Sequence, residues 1–183
     1  MQIVSAISKL ADTSNLPFLV IGGHAVIAYG YPRQTADVDF LVIDQNRHAW
    51  DSLVLALGYR HHHIQSAFQM YNPVQIGLPA IDLMLVDAQT FSKLAADAHD
   101  CEVGGVQVKI PSLRHLIALK LHALRSGQAD RRERDLGDVL TLMRLNGLTL
   151  ASPSYPEIFA RYASPALQRE IESRLAGPES SHA

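Results

Sequence analysis

A short apolar run, Phe18-Leu19-Val20-Ile21, feeds directly into Gly22-Gly23, and thirteen residues later comes Asp37-Val38-Asp39. The apolar run reads as a buried strand ending on a glycine pair, where a phosphate can approach the backbone with no side chain in the way. Val38 to Ile43 reads as a second strand, with Asp37 and Asp39 at its entry. Side chains alternate across a strand, so the two carboxylates point to the same side. At that spacing they repel unless a cation stands between them. Mg²⁺ suits them, because it takes hard oxygen ligands and keeps places for water and phosphate oxygens. Glycines for phosphate and paired acids for metal together point to chemistry on a nucleoside triphosphate.

A two-metal site needs a third acid, both to complete the ligand set and to activate an attacking hydroxyl. Asp82 is the candidate. It stands inside the apolar run Ile81-Asp82-Leu83-Met84-Leu85-Val86, where an unpaired charge is costly if buried. The competing reading of all three acids is structural: Asp-x-Asp alone is usually a turn or a strand edge.

The remaining elements alternate before they turn helical. Ile3, Ile7 and Leu10 lie at helical spacing, and His24 to Tyr29 reads as a short helix stopping at Gly30. Asn46 is a candidate cap for a helix carrying Trp50, Leu53, Val54 and Leu57, closed by Gly58. Tyr59 to His63 and Ser66 to Tyr71 read as strands, the second broken by Asn72-Pro73. Asp87 caps a helix through Phe91, Leu94 and Ala95. Gly104-Gly105 reads as a hairpin turn before the alternating strand Val106, Val108, Ile110. From Pro111-Ser112 the chain is helical: Leu113, Leu116, Ile117, Leu121 and Leu124 form one stripe, ended by Gly127, and Leu136, Val139, Leu140 and Met143 form the next. Pro153 and Pro156 bracket a loop, and Ser164-Pro165 opens a last helix.

Composition removes several classes. With 183 residues, 48% apolar and 19% charged, the chain buries a real core and is not disordered by composition. A net charge of -2 gives no global basic character for nucleic acid or membrane. Cys101 is the sole cysteine, which excludes a disulfide framework and a cysteine zinc site and fits a reducing cytoplasm. No secretory leader pattern is present and the run at Phe18 to Ile21 is too short to span a bilayer, so neither secretion nor membrane partners are expected.

The segments Gly22-Gly23-His24-Ala25, Arg33-Gln34-Thr35-Ala36-Asp37-Val38-Asp39-Phe40 and Ile81-Asp82-Leu83 resemble the DNA polymerase β-type nucleotidyltransferase superfamily, and within it the small bacterial proteins related to AbiEii-type toxins. The resemblance covers roughly Phe18 to Leu142. It implies an α+β nucleotidyltransferase fold, a mixed twisted sheet flanked by helices, with Mg²⁺-dependent transfer of a nucleoside monophosphate and release of pyrophosphate. Gly22 and Gly23 would hold the triphosphate, Asp37 and Asp39 the metals, and Asp82 would be the third carboxylate.

Lys120 shares a helix face with Leu113, Leu116, Ile117 and Leu124, so it points inward. It either snorkels to an edge or meets an anion, and a triphosphate is the obvious anion. AbiEii-like proteins carry a helical Lys followed by a Lys/Arg-Asp element, matched here by Lys120 and Arg134-Asp135. Asp135 either orients Lys120 or is an acid favoured at a helix N-terminus. Arg33 and Thr35, just before the acids, could touch phosphate oxygens or stabilise a turn. Eight of the sixteen basic residues lie between Lys109 and Arg144, and Arg131, Arg132 and Arg134 are the candidates for a phosphate backbone such as tRNA; a solvated helix surface is the simpler account. His61-His62-His63 is a poor metal site, since neighbouring strand residues face opposite ways. His24 either lines the pocket or is a buried, hydrogen-bonded histidine.

The expected organisation is a nucleotidyltransferase α/β core over 1–110, a C-terminal helical bundle over 111–176 closing the cleft, and a flexible tail over 177–183. The expected activity is Mg²⁺-dependent nucleotidyl transfer, with Mn²⁺ as a substitute ion, from NTP to tRNA or protein, in the manner of a toxin with a cognate antitoxin. A small-molecule antibiotic acceptor and a non-catalytic nucleotide- or partner-binding module are the alternatives.

Overall fold

Alternating apolar strands need two covered faces or one covered and one wet, and the chain supplies both helices and a polar edge to do this. The computed structural model describes residues 2–126 and 129–177. The expected helix stop at Gly127 and the expected tail beyond Gly177 lie outside the described residues. The chain divides into two compact units, Met1–Ala28 with Pro32–Ser112, and Tyr29–Tyr31 with Leu113–Ala183.

The first unit holds helix α1 (Gln2–Thr13), strand β1 (Phe18–Val20), helix α2 (Gly22–Ala28), strand β2 (Asp37–Ile43), helix α3 (Arg47–Ala56), strands β3 (Tyr59–Ile64), β4 (Phe68–Pro73) and β5 (Ala80–Val86), helix α4 (Ala88–Ala96), and strands β6 (His99–Val103) and β7 (Val106–Ile110). Five strands form one mixed sheet in the order β1-β2-β5-β4-β3. Only the central β2–β5 pair is parallel; β1–β2, β5–β4 and β4–β3 are antiparallel. On one face Phe18, Phe40 and Trp50 form a ring cluster, with Phe40 and Trp50 stacked at 6.4 Å and Phe18 edge-on to Trp50 at 5.9 Å. That cluster is where α3 buries its apolar stripe of Trp50, Leu53 and Val54. The β6–β7 hairpin turns at Gly104-Gly105, both at positive φ.

The second unit is helical: α5 (Leu113–Ser126), α6 (Ala129–Leu145), α7 (Tyr155–Tyr162) and α8 (Pro165–Ala176). Leu116, Ile117 and Leu121 of α5 are buried, as are Leu136, Val139, Leu140 and Met143 of α6. The 3.6-residue stripes read from the sequence are therefore its core.

Local punctuation explains most element ends and two departures. Asp87 caps α4 by accepting from the Thr90 amide at 2.8 Å, and Ser164 caps α8 by accepting from Leu167 at 3.2 Å. Asn46 makes no side-chain cap bond; the residues Asp44–Asn46 instead form a 3₁₀ turn that leads straight into α3. The segment between Pro153 and Pro156, expected as a loop, includes the start of α7. Pro156 sits in its first turn, where a missing N–H costs nothing, and Tyr155 and Phe159 bury one face.

Candidate active site

The site is built where four chain segments meet at one edge of the sheet. β2 and β5 run parallel, so both begin there. β1 ends there and passes into α2, and β4 ends there before returning as β5. Asp37 is the first residue of β2 and pairs with Ala80; two residues on, Asp39 pairs with Asp82. Paired residues of neighbouring strands share a face, so Asp39 and Asp82 stand side by side, with Asp37 on the same face. Asp82 is buried between the fully buried Ile81 and Leu83.

Gly22 closes the site against Asp39. Its φ is +59°, in the left-handed region, and a Cβ on it would lie 1.9 Å from Asp39 Oδ2. The backbone thus approaches the carboxylate as closely as only glycine permits. Ile21 fixes the approach by donating its amide to the Asp39 carbonyl at 2.9 Å. Gly23 plays the matching part toward the preceding loop. A Cβ there would lie 2.3 Å from Thr35 Oγ1 and 3.2 Å from Arg33 Nη2. Thr35 Oγ1 donates to the Asp37 carbonyl at 3.3 Å and Arg33 Nη1 to the Gln34 carbonyl at 3.0 Å, which folds this loop over the glycines. Gly22, Gly23, Arg33, Thr35, Asp37, Asp39 and Asp82 are therefore one neighbourhood. His24 belongs to it electrostatically: burial holds its imidazole below the usual range, the Asp39 carboxylate pulls the other way, and Arg33 adds to the lowering.

Lys120 and Asp135 are brought to each other in the helical unit. The Lys120 ammonium lies 2.6 Å from Asp135 Oδ1 and 2.8 Å from Asp138 Oδ2, with side chains only 12%, 15% and 1% exposed. Asp138 is not among the candidate residues read from the sequence. Its signal was spacing: three residues beyond Asp135 on a helix is the same face. An ammonium has three N–H donors, and these contacts use two.

Other candidates find ordinary partners. Arg132 pairs with Glu170 and Glu133, and Arg174 with the same two acids, so one of the three arginines suggested for nucleic acid is engaged within the unit. The histidine run is interrupted by a bulge between His61 and His63. His61 lies 3.1 Å from Asp51, with its ring 5.0 Å from that of Tyr71 and tilted by 34°, while His63 contacts Gln65 at 2.8 Å. Tyr71, fully buried, donates to Asp51 at 2.8 Å; burial, then Asp51, pushes its hydroxyl well above the usual range.

The donor set fits a magnesium ion of one kind only. Among the described residues no three His, Cys, Asp or Glu side chains converge on a common point that could cage an ion. Mg²⁺ does not ask for such a cage. It is held by one or two carboxylates with water and substrate phosphates completing the octahedron. Asp39 beside Asp82, with Asp37 next along the strand, meets that description; the space a side chain would take at Gly22 and Gly23 is filled by the Asp39 and Thr35 side chains.

Among the described residues no helix is long and apolar enough to cross a membrane. No curated protein matches the chain. Solved structures match it in fold. The crystal structure of ANT(2'')-Ia in complex with adenylyl-2''-tobramycin aligns at TM-score 0.60 and 18% identity, over 96% of this chain and 98% of that one. An antigenic nucleotidyltransferase-like protein from Paracoccidioides brasiliensis aligns at 0.56 and 17%, over 95% and 90%. The lincomycin-bound lincosamide antibiotic adenylyltransferase LnuA aligns at 0.55 and 10%, over 76% and 95%. Residues 1–139 match the model of a family described as "Nucleotidyl transferase of unknown function (DUF2204)". The chain belongs to that family of nucleotidyl transferases and shares the fold of these solved structures.

Proposed function

We propose that the chain transfers a nucleoside monophosphate from a Mg²⁺-bound NTP to a hydroxyl on a small-molecule acceptor. The observation that carries this is the register of Asp39 opposite Asp82 with Gly22 packed against Asp39. Asp39 and Asp82, with Asp37 next along β2, would supply the one or two carboxylates that hold the metal. When bound, it neutralises phosphate charge and stabilises the attacking and leaving oxygens. Gly22 and Gly23 offer backbone amides to the triphosphate, and Arg33 and Thr35, folded over Gly23, offer it a guanidinium and a hydroxyl. The acceptor oxygen bonds to the α-phosphorus, the bond from that phosphorus to the bridging oxygen breaks, and pyrophosphate leaves. The acceptor's proton passes to the Asp82 carboxylate. Most of the rate comes from positioning and charge neutralisation. In the helical unit, Asp135 and Asp138 fix the Lys120 ammonium between them.

Two structural neighbours favour the small-molecule acceptor over tRNA or protein. LnuA is by name an antibiotic adenylyltransferase and ANT(2'')-Ia is bound to an adenylylated tobramycin. The engagement of Arg132 with Glu170 removes one cation from the surface an RNA would use. Nothing comparable supports a toxin role or an antitoxin. The test is incubation with each α-labelled NTP, Mg²⁺ and separated small-molecule, RNA and protein fractions of a cell extract. Label on the small-molecule fraction that disappears in Asp39→Ala supports the proposal. Absence of both label transfer and Mg²⁺-dependent NTP binding overturns it.

A further inference from the structure

The loop joining β4 to β5, Val74-Gln75-Ile76-Gly77-Leu78-Pro79, carries the most exposed large apolar side chains of the described residues: Ile76 is 98% exposed and Val74 69%. Single exposed hydrophobics are ordinary on a surface. This pair is set apart by where the sheet puts it. Pro79 directly precedes Ala80, and Ala80 is the strand partner of Asp37. The loop therefore stands at the same sheet edge as the Arg33–Thr35 loop and the carboxylates. Both of its ends are fixed. Val74 donates its amide to the Gly58 carbonyl at 2.9 Å, and Tyr59 donates its hydroxyl to the Pro79 carbonyl at 3.0 Å. The tip is thus presented from a pinned base.

Charge narrows what the tip can meet. No Asp, Glu, Lys or Arg occurs from Ile64 to Ile81. A polycationic acceptor would be recognised by carboxylates and a nucleic acid by cations, and the loop itself supplies neither. An apolar body can gain from covering Val74 and Ile76, and a neutral polar group can pair with Gln75.

We infer that the Val74–Pro79 loop is the acceptor-recognition element, and that the acceptor is an uncharged small molecule presenting an apolar face beside the hydroxyl that is modified. The inference rests on the nucleotidyl-transfer function proposed above. Its test uses the full chain and four acceptor pools from cell extract: neutral organic-extractable compounds, polycationic small molecules, RNA and protein. Mg²⁺-dependent binding of a non-hydrolysable NTP is measured alongside by calorimetry. The expected result is label transfer from α-labelled NTP to the neutral organic-extractable pool. With an acceptor isolated from it, Val74→Ser/Ile76→Ser raises KM roughly tenfold or more while kcat, NTP affinity and melting temperature hold. With NTP binding intact, label confined to polycations, RNA or protein overturns the inference, as does a neutral pool that takes no label or a KM unmoved by the double substitution. Loss of NTP binding itself instead overturns the underlying function.

Discussion

Gly22→Ala isolates the closest contact in the site. Two costs follow from the structure. A side chain at φ +59° is strained by about 1 kcal/mol, the usual penalty for an L-residue in the left-handed region. The new Cβ would also sit 1.9 Å from Asp39 Oδ2, whereas ordinary contact begins at 3.4 Å, so the carboxylate must retreat by about 1.5 Å. A misplacement of about 1 Å in a reacting constellation costs on the order of 100-fold in rate. We therefore expect nucleotidyl transfer to fall by at least about 100-fold, roughly 2.7 kcal/mol of activation free energy. Strain and crowding together, roughly 2–4 kcal/mol, should lower the melting temperature by about 2–4 °C per kcal/mol for a chain this long. Gly105→Ala is the control: its φ is +82°, yet no atom lies within 4 Å of the added Cβ. It should lose only the roughly 1 kcal/mol of backbone strain and keep full activity. The assay is the initial rate of label transfer from α-labelled NTP, with circular dichroism melting run in parallel. If Gly22→Ala and Gly105→Ala transfer at equal rates, the carboxylate is not positioned by the glycine and the argument fails.

Three further outcomes follow from the same structure. Lys120→Met removes the ammonium that both Asp135 and Asp138 contact where little solvent reaches, so unfolding free energy should fall by about 3–5 kcal/mol, read from urea melts; a loss under about 1 kcal/mol would mean that the ion pairs hold nothing together. His24 is held below its ordinary range, so the unfolded chain binds its proton first as pH drops. Stability should decline as pH falls from the unfolded value near 6.5 toward the lower folded one, and this part of the slope should vanish in His24→Gln, measured by melts at pH 5.5 and 7.5. Ser164→Ala removes the bond to the Leu167 amide and should cost about 1 kcal/mol with no effect on transfer.

Much of this was legible because the chemistry required unusual residues at rigid positions. Gly22-Gly23, Asp37 and Asp39 announce themselves by type and spacing, and Asp82 by standing in an apolar strand. What pairs with what was less legible. That Asp82 faces Asp39 depends on β5 inserting beside β2, a long-range pairing that no local pattern encodes. Asp138 was hidden in a stretch of alternating charges, where only its three-residue offset from Asp135 marked it. The start of α7 was obscured by Pro156, since a proline that breaks a helix interior is welcome in its first turn. Asn46 had the right chemistry for a cap, but a 3₁₀ turn already supplies the entry to α3.

The central claim is that the Gly22-Gly23 and Asp37, Asp39, Asp82 neighbourhood transfers the α-phosphoryl nucleotide. One measurement tests it directly: parallel reactions with α-labelled and γ-labelled ATP, Mg²⁺ and extract fractions, for the wild-type chain and for Asp39→Asn. The account predicts α-label on the acceptor, γ-label released as pyrophosphate in equal amount, and loss of both by about a thousandfold or more in a folded Asp39→Asn. Transfer of the γ-label to the acceptor, or α-label transfer unchanged in Asp39→Asn, would contradict it.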